Sequence, residues 1–437
     1  MGRARSGVVA AQKSTDTSPL LPCKDNDLLL GNQLSSVRKT FGNIAMSLVG
    51  AGMLGLPYAF KRAGWLAGSI ALIVVAMATY YSLKLLVDAR KKVEDDGEAE
   101  VATYSDLSYH AYGDRGRIAV DGLIFLSQGG TCIAILIFIG ENLPSLFSTL
   151  TITSHPAAGI ADAKTARSRI GLAGKDTYIF MAFVLQLGMA GINSLTRLAP
   201  FSMLGTLANV LAMAVVMREY VVEIISGGGI KPVEAFTDLS GLPFAVGVGI
   251  YALSCTVLLI PIQSSMQNQP KFEGVLALAM SSVTTLYVNF ALLGFLAFGS
   301  QTRDIITLNL HKSLETSMVQ AAQCLGLFFS FRLNIHPVYE MIERRLSHGK
   351  PSMFMRCSLL VVTCCVAVVV PNFGDFISLV GSSVSCTLGF IFPALFHLRL
   401  FGELSWPAKS LDYGFIAFGI IFGLWGSATS ISKLAGF

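Results

Sequence analysis

The run from Phe41 to Phe60 is apolar and long enough to cross a bilayer, yet it carries Gly50, Gly52, Gly55 and Pro57 within the stretch GAGMLGLP. Hydrocarbon supplies no water to pair with a freed peptide group, so unwound backbone inside a span survives only where it lines a polar cavity or meets a ligand. The chain therefore has to fold around these residues. The carbonyls left at the end of the first half-helix suit an ammonium group or a cation, and the N–H groups opening the second half suit a carboxylate. A zwitterion fits the pair of ends. Glycines let such a ligand approach the backbone closely, which makes Gly50, Ala51, Gly52, Met53, Leu54 and Gly55 a candidate substrate cradle.

The rest of the chain has the composition of a bilayer protein. Of 437 residues, 53% are hydrophobic and 14% charged, against about 25% charged in ordinary soluble domains, and the mean hydropathy is +0.62. Windows of about 20 apolar residues occur at about 40–60, 64–87, 118–141, 177–194, 198–226, 243–262, 274–298, 315–333, 355–371, 376–399 and 412–433. They predict an all-α polytopic membrane protein with about eleven transmembrane helices, occupying 39–437 behind a disordered cytosolic tail, 1–38. A net charge of +5 spread over loops gives no nucleic-acid surface.

Within the tail, Asp16 precedes Leu20 and Leu21 in DTSPLL. This arrangement is similar to an acidic dileucine signal read by sorting machinery on the way to vacuoles or lysosomes. With the tail in the cytosol, about 21 of the 32 Lys and Arg fall on cytosolic segments, which predicts a cytosolic amino terminus. The basic stretch KTARSR after the third span opposes that bias; it lies in a loop long enough to translocate regardless of charge.

Five spans after the first break, the sixth span reads LPFAVGVGIYALSCTVLLIPIQ, with Gly247, Gly249 and Pro261. Two interruptions at corresponding places in successive sets of five spans predict an inverted five-plus-five repeat with broken helices one and six. Repeat one covers about 40–226, repeat two about 243–399, and an extra helix about 412–433. Glycines such as Gly129, Gly130, Gly188 and Gly191 suit close helix packing.

Other chemistry finds little support. Asp121, Glu141, Glu219, Glu223, Glu340 and Asp375 sit near span ends, where interfacial or snorkelling carboxylates are expected; His336 and His397 are expected at the same boundary. No span has a row of Arg, so a voltage sensor is not indicated. Most cysteines lie in apolar runs and behave as small hydrophobes; no Cys/His spacing suits a metal, and no cofactor is called for. The chain contains no GxSxG elbow, HExxH pair, P-loop or dinucleotide fingerprint, so it does not read as an enzyme.

KTFGNIAMSLVGAGMLGLPYAFKRAGWLAG and VPNFGDFISLVGSSVSCTLGFIFPALFHL resemble the amino acid/auxin permease family, and within it the neutral and aromatic amino acid transporters of the plant vacuole. The resemblance covers nearly the whole chain. It implies eleven spans, an amino acid held between broken spans one and six, and in many members coupling to protons. One region departs: Ser254, Cys255, Gln263, Ser265 and Gln267 stand where relatives tend to carry carboxylates, glycine and other charged residues. The reading that follows is a secondary active transporter working by alternating access. The backbone of Gly50 to Gly55 holds the substrate's carboxylate and amino groups, and Tyr251, Ala252, Leu253 and Ser254 close the pocket. Ser127 and Gly130 of span three and Asn334 near the end of span eight are further lining candidates. An amino-acid sensor of the same fold, binding without net transport, is the alternative, with a channel as a third class.

Overall fold

A computed structural model describes residues 35–97, 101–154, 174–191, 195–227, 229–311, 313–347 and 350–435. The dileucine residues Asp16, Leu20 and Leu21, most of the tail, and KTARSR lie outside the described residues. Among those described the fold is all helical, apart from an isolated parallel bridge between Ser35 and Met266. The first span is α1 (Val37–Leu48), a 3-10 turn at Ala51–Gly55, and α2 (Leu56–Ala63). α3 (Trp65–Asp95), α4 (Tyr104–Ser154), α5 (Lys175–Met189) and α6 (Leu195–Ser226) follow. The sixth span is α7 (Gly241–Ala252) and α8 (Thr256–Ser264). Next come α9 (Phe272–Phe298), α10 (Leu314–Leu346) and α11 (Met353–Val369). The tenth window is α12 (Phe373–Val380), two π-helical segments at Gly381–Ser385 and Thr387–Ile391, and α13 (Phe392–Leu400); α14 (Trp406–Leu434) ends the fold.

Each of the eleven windows coincides with a helical segment. By length and apolarity, six helices among the described residues can cross a membrane, and α1 with α2 adds a seventh as a pair bent by 49°. Among the boundary differences, α4 runs beyond its window at both ends, and α10, expected to stop near residue 333, extends to Leu346. The extension is polar in sequence and paired in space. Glu343 binds Arg356 of α11 through two hydrogen bonds of 2.7 and 3.1 Å, and the guanidinium groups of Arg332 and Arg356 lie 5.1 and 5.4 Å from the ring centre of Tyr339. Pairing of this kind offsets part of the cost of taking these charges out of water.

The two ends of the bundle are held differently. At the amino-terminal end, Ser35 N–H donates to the Ser265 carbonyl at 2.7 Å and Gln267 N–H donates to the Ser35 carbonyl at 3.1 Å, joining the entry of α1 to the exit of α8. Lys91 of α3 pairs with Glu273 of α9 at 2.8 Å. At the opposite end, Gly64 turns the chain from α2 into α3 at φ +96°. There the first N–H groups of α3, on Trp65 and Leu66, donate to the carbonyls of Glu234 and Ala235 at 3.1 and 3.2 Å, so the loop before α7 caps α3. A Cβ on Gly64 would collide with the Ala235 carbonyl.

Gly64→Ala is therefore expected to lower the thermal stability of the detergent-solubilised protein by more than the ~1–2 kcal/mol that the backbone conformation alone costs. Gly97 also has a positive φ, +73°, but a Cβ there meets nothing within 4 Å. Gly97→Ala should cost only the conformational part, and equal losses in paired melting curves would refute this account of the corner.

Candidate substrate site at the two broken helices

The first break begins where α1 loses its ladder. Val49 N–H donates to the Ala45 carbonyl at 3.1 Å; Gly50 is then extended (φ −140°, ψ −163°), and Ala51–Gly55 form the 3-10 turn. Pro57 stands in the first turn of α2, where a missing N–H costs nothing. One carbonyl freed at the end of α1 is already answered from within the protein: the buried hydroxyl of Tyr287 on α9 donates to the Leu48 oxygen at 2.7 Å. The cradle expected from sequence is thus less bare than the residues alone imply.

The second break lies at Leu253–Cys255. It contains neither glycine nor proline, which corrects the expectation that Gly247, Gly249 and Pro261 mark it. Gly247 and Gly249 are inside α7, where a Cβ would meet the Ser378 carbonyl at 2.7 Å and Leu72 at 3.3 Å, and Pro261 is inside α8. Those residues pack helices. What interrupts the span is the backbone itself: Leu253 N–H still reaches the Gly249 carbonyl at 3.0 Å, Ser254 N–H reaches Tyr251 at 3.4 Å, and the ladder restarts with Leu258 N–H on the Cys255 carbonyl at 3.1 Å.

The two breaks meet. A Cβ on Gly52 would sit 2.9 Å from both the Ala252 Cα and the Tyr251 Cδ1, so close approach requires glycine there. A Cβ on Gly55 would sit 2.7 Å from Ile377 Cδ1, the tip of a side chain that could shift. Gly50 has nothing within 4 Å of a Cβ. Ala51, Met53, Leu54, Ala252 and Leu253 are buried, and Tyr251 and Ser254 are half-buried. Tyr251 faces Thr131 of α4, whose hydroxyl donates to the Ser127 carbonyl at 3.0 Å. Gly130 is buried against Val380, 2.9 Å from a Cβ to its Cγ2, and so joins α4 to α12. Asn334 spends its amide on the Ser330 carbonyl one turn back, at 2.8 Å. Gly52 thus meets Tyr251 and Ala252, while the contacts made by Ser127, Gly130 and Asn334 are those of helix packing and local bonding.

Charged residues complete the surroundings in ways their sequence positions did not indicate. Asp375, expected at the lipid boundary, is buried and pairs with Arg62 at the end of α2 at 2.7 Å; the guanidinium also lies 3.9 Å from the ring centre of Phe244. This pair joins the end of α2 to the start of α12. Beside it Asp304 accepts from the N–H groups of Phe373 and Gly374 at 3.1 and 3.4 Å, capping α12 from a distant loop. His397, likewise expected at the boundary, is buried against a fully buried Asp412 at 2.7 Å. Glu141 pairs with Lys175 at 2.9 Å, and Asp121 with Arg345 at 3.1 Å. The partners lie far apart in the chain, so no local pattern announces them.

Comparison with known proteins places this geometry in context. Residues 33–432 match the family described as transmembrane amino acid transporter protein. Two proteins of Arabidopsis thaliana are similar along nearly their whole lengths. Amino acid transporter AVT3C is 40% identical over 94% of this chain and 95% of its own, and amino acid transporter ANT1 is 35% identical over 97% and 98%. Among solved structures, MhsT in complex with L-phenylalanine superposes with a TM-score of 0.54 at 16% identity, covering 91% of this chain and 99% of that one. A manganese transporter of Eremococcus coleocola gives the same score at 12% identity, covering 96% and 91%. Both share the fold. The chain is a multi-pass membrane protein, not an enzyme, and belongs to the transmembrane amino acid transporter family.

Proposed function

We propose that this protein carries neutral amino acids, aromatic ones included, across the vacuolar membrane by alternating access, with the amino terminus in the cytosol and the substrate held between the two breaks. The observation that carries the reading is the contact of Gly52 with Ala252 and Tyr251, which sets the unwound segment of span one against the last turn of α7, immediately before the second break. The fold alone leaves the cargo open, since the solved structures that share it include a phenylalanine complex and a manganese transporter. The choice of amino acids rests on the family and on relatives named as amino acid transporters. The vacuolar address rests on Asp16, Leu20 and Leu21 and on the resemblance to plant vacuolar carriers.

In this reading the main-chain groups of Gly50–Gly55 hold the α-amino and α-carboxyl groups, while Tyr251–Ser254 shape the side-chain pocket. Glycine at position 52 lets the breaks close over a small ligand and part to release it. Span six offers Ser254 and Cys255 at its break, so any coupled proton has to be carried by groups elsewhere. Arg62–Asp375 fastens one end and the Ser35–Met266 bridge the other, and alternating access requires each to open in turn.

Uptake of a labelled amino acid panel into vesicles, with and without an imposed pH difference, tests the proposal directly. Accumulation is expected; bound label without accumulation would favour the sensor. Gly52→Val should abolish uptake while the protein still inserts. Gly42→Ala, in α1 with nothing within 4 Å of the added Cβ, should retain it, and normal transport by Gly52→Val would remove the cradle.

A second test uses Cys255, a buried free thiol at the break, in a background with the other cysteines replaced. Removing one partner of a buried ion pair costs ~3–5 kcal/mol, so Asp375→Asn should favour opening of the opposite end. Labelling of Cys255 by a membrane-impermeant thiol reagent from that side is expected to rise about tenfold. An unchanged rate would show that this pair is not a fastening.

A further inference from the structure

The stripe Gln320, Gln323, Leu327 and Phe331 on α10 is buried and at helical spacing, on a helix that packs against both α4 and α6. Its first rung is fully satisfied. Gln320 Nε2 donates to the Thr307 carbonyl at 2.8 Å, Thr307 Oγ1 donates to Asn142 Oδ1 at 2.6 Å, and Asn142 Nδ2 donates to the Phe138 carbonyl at 3.0 Å. The 3-10 turn Ile306–Asn309 that carries Thr307 lies against Ala51–Gly55, the first break. The last rung is at Phe331, whose carbonyl accepts from Cys132 Sγ at 3.7 Å, next to the Thr131 that faces Tyr251 of the second break. Gln323 sits between these rungs, ~4.5 Å along the helix from Gln320 and ~12 Å from Phe331. It therefore lies between a residue linked through Thr307 to the first break and one linked through Cys132 to the part of α4 beside Tyr251.

Gln323 is 1% exposed, and neither its Oε1 nor its Nε2 has a hydrogen-bond partner. A carboxamide buried with both ends unpaired is costly, whereas its polar neighbours Gln320, Thr307 and Asn142 are all paired. We infer that Gln323 is a specificity-determining residue that reads the side chain of the transported amino acid, selecting neutral side chains that both donate and accept a hydrogen bond. The inference rests on the transport reading above and names its substrate class: hydroxyl and carboxamide side chains.

The chemistry follows from the donor and acceptor inventory. A carboxamide offers one acceptor and one donor group side by side without charge. A hydroxyl or a second carboxamide answers both. An ammonium group answers only the oxygen and a carboxylate only the nitrogen, and each brings an unpaired charge into a buried place. An apolar side chain answers neither. Selection by a polar group against an analogue that lacks the partner is stronger than selection by size, because the loser leaves buried groups unpaired.

The test is uptake by the full-length protein in vesicles, measured for near-isosteric pairs: threonine against valine, tyrosine against phenylalanine, glutamine against methionine. The unmodified protein should favour the first member of each pair by about tenfold, and Gln323→Leu should reduce that preference to about one while total flux of the apolar member persists or rises. Gln323→Met, close to glutamine in length, should do the same if the leucine variant fails to insert. Equal uptake within each pair by the unmodified protein, or an unchanged preference in either transporting variant, overturns the inference while leaving transport standing. Absence of uptake of every amino acid by the unmodified protein overturns the transport reading and this inference with it.

Discussion

Peptide groups surrounded by hydrocarbon have to find partners within the protein, and every unusual feature of this chain answers to that requirement. An α-helix meets it automatically, so the two places where the helix stops are the places where other groups must take over. In the first span a tyrosine on a neighbouring helix takes the Leu48 carbonyl, and a 3-10 turn shortens the gap before Pro57. In the sixth the interruption is confined to three residues, with bonds from Leu253 and Leu258 closing in from both sides. Gly52 brings the first interruption against the helix end that leads into the second. The interior of the protein thereby acquires a polar place that the lipid could never tolerate at its surface.

Span positions were legible because apolar length is a local property, and the first break was legible because four residues unsuited to helices cluster inside an apolar run. The second break was marked wrongly by glycine and proline, whereas the resemblance put it at Ser254 and Cys255, inside the interruption at Leu253–Cys255. Gly247, Gly249 and Pro261 are helical and exist for packing, and the unwinding at Leu253–Cys255 depends on what α7 and α8 each pack against. Buried charge was the least legible. Asp375 and Arg62 are 313 residues apart, and an acid beside an apolar run looks the same from sequence whether it snorkels or is paired. The length of α10 was underestimated for the same reason, since Arg332 and Glu343 end an apolar window without ending a helix.

The ion pairs divide by place. Arg62–Asp375 ties the broken first span to α12 at one end of the bundle, and Glu343–Arg356 ties α10 to α11. His397–Asp412 ties α13 to α14. None of these carboxylates is part of either break. That separation is consistent with a binding place built from main-chain dipoles, which discriminate by shape and orientation, and it leaves side-chain selectivity to neutral groups.

Spans one, six and ten touch through glycine. Gly55 lies on Ile377, and a Cβ on Gly381 would run into the Gly247 carbonyl. At Gly381 and Gly247 main chain rides against main chain, with no knob on either side to lift out of a hole. At that point neither rod has a side chain to interlock, so the contact that brings these helices closest is also the one least able to lock them in a single register.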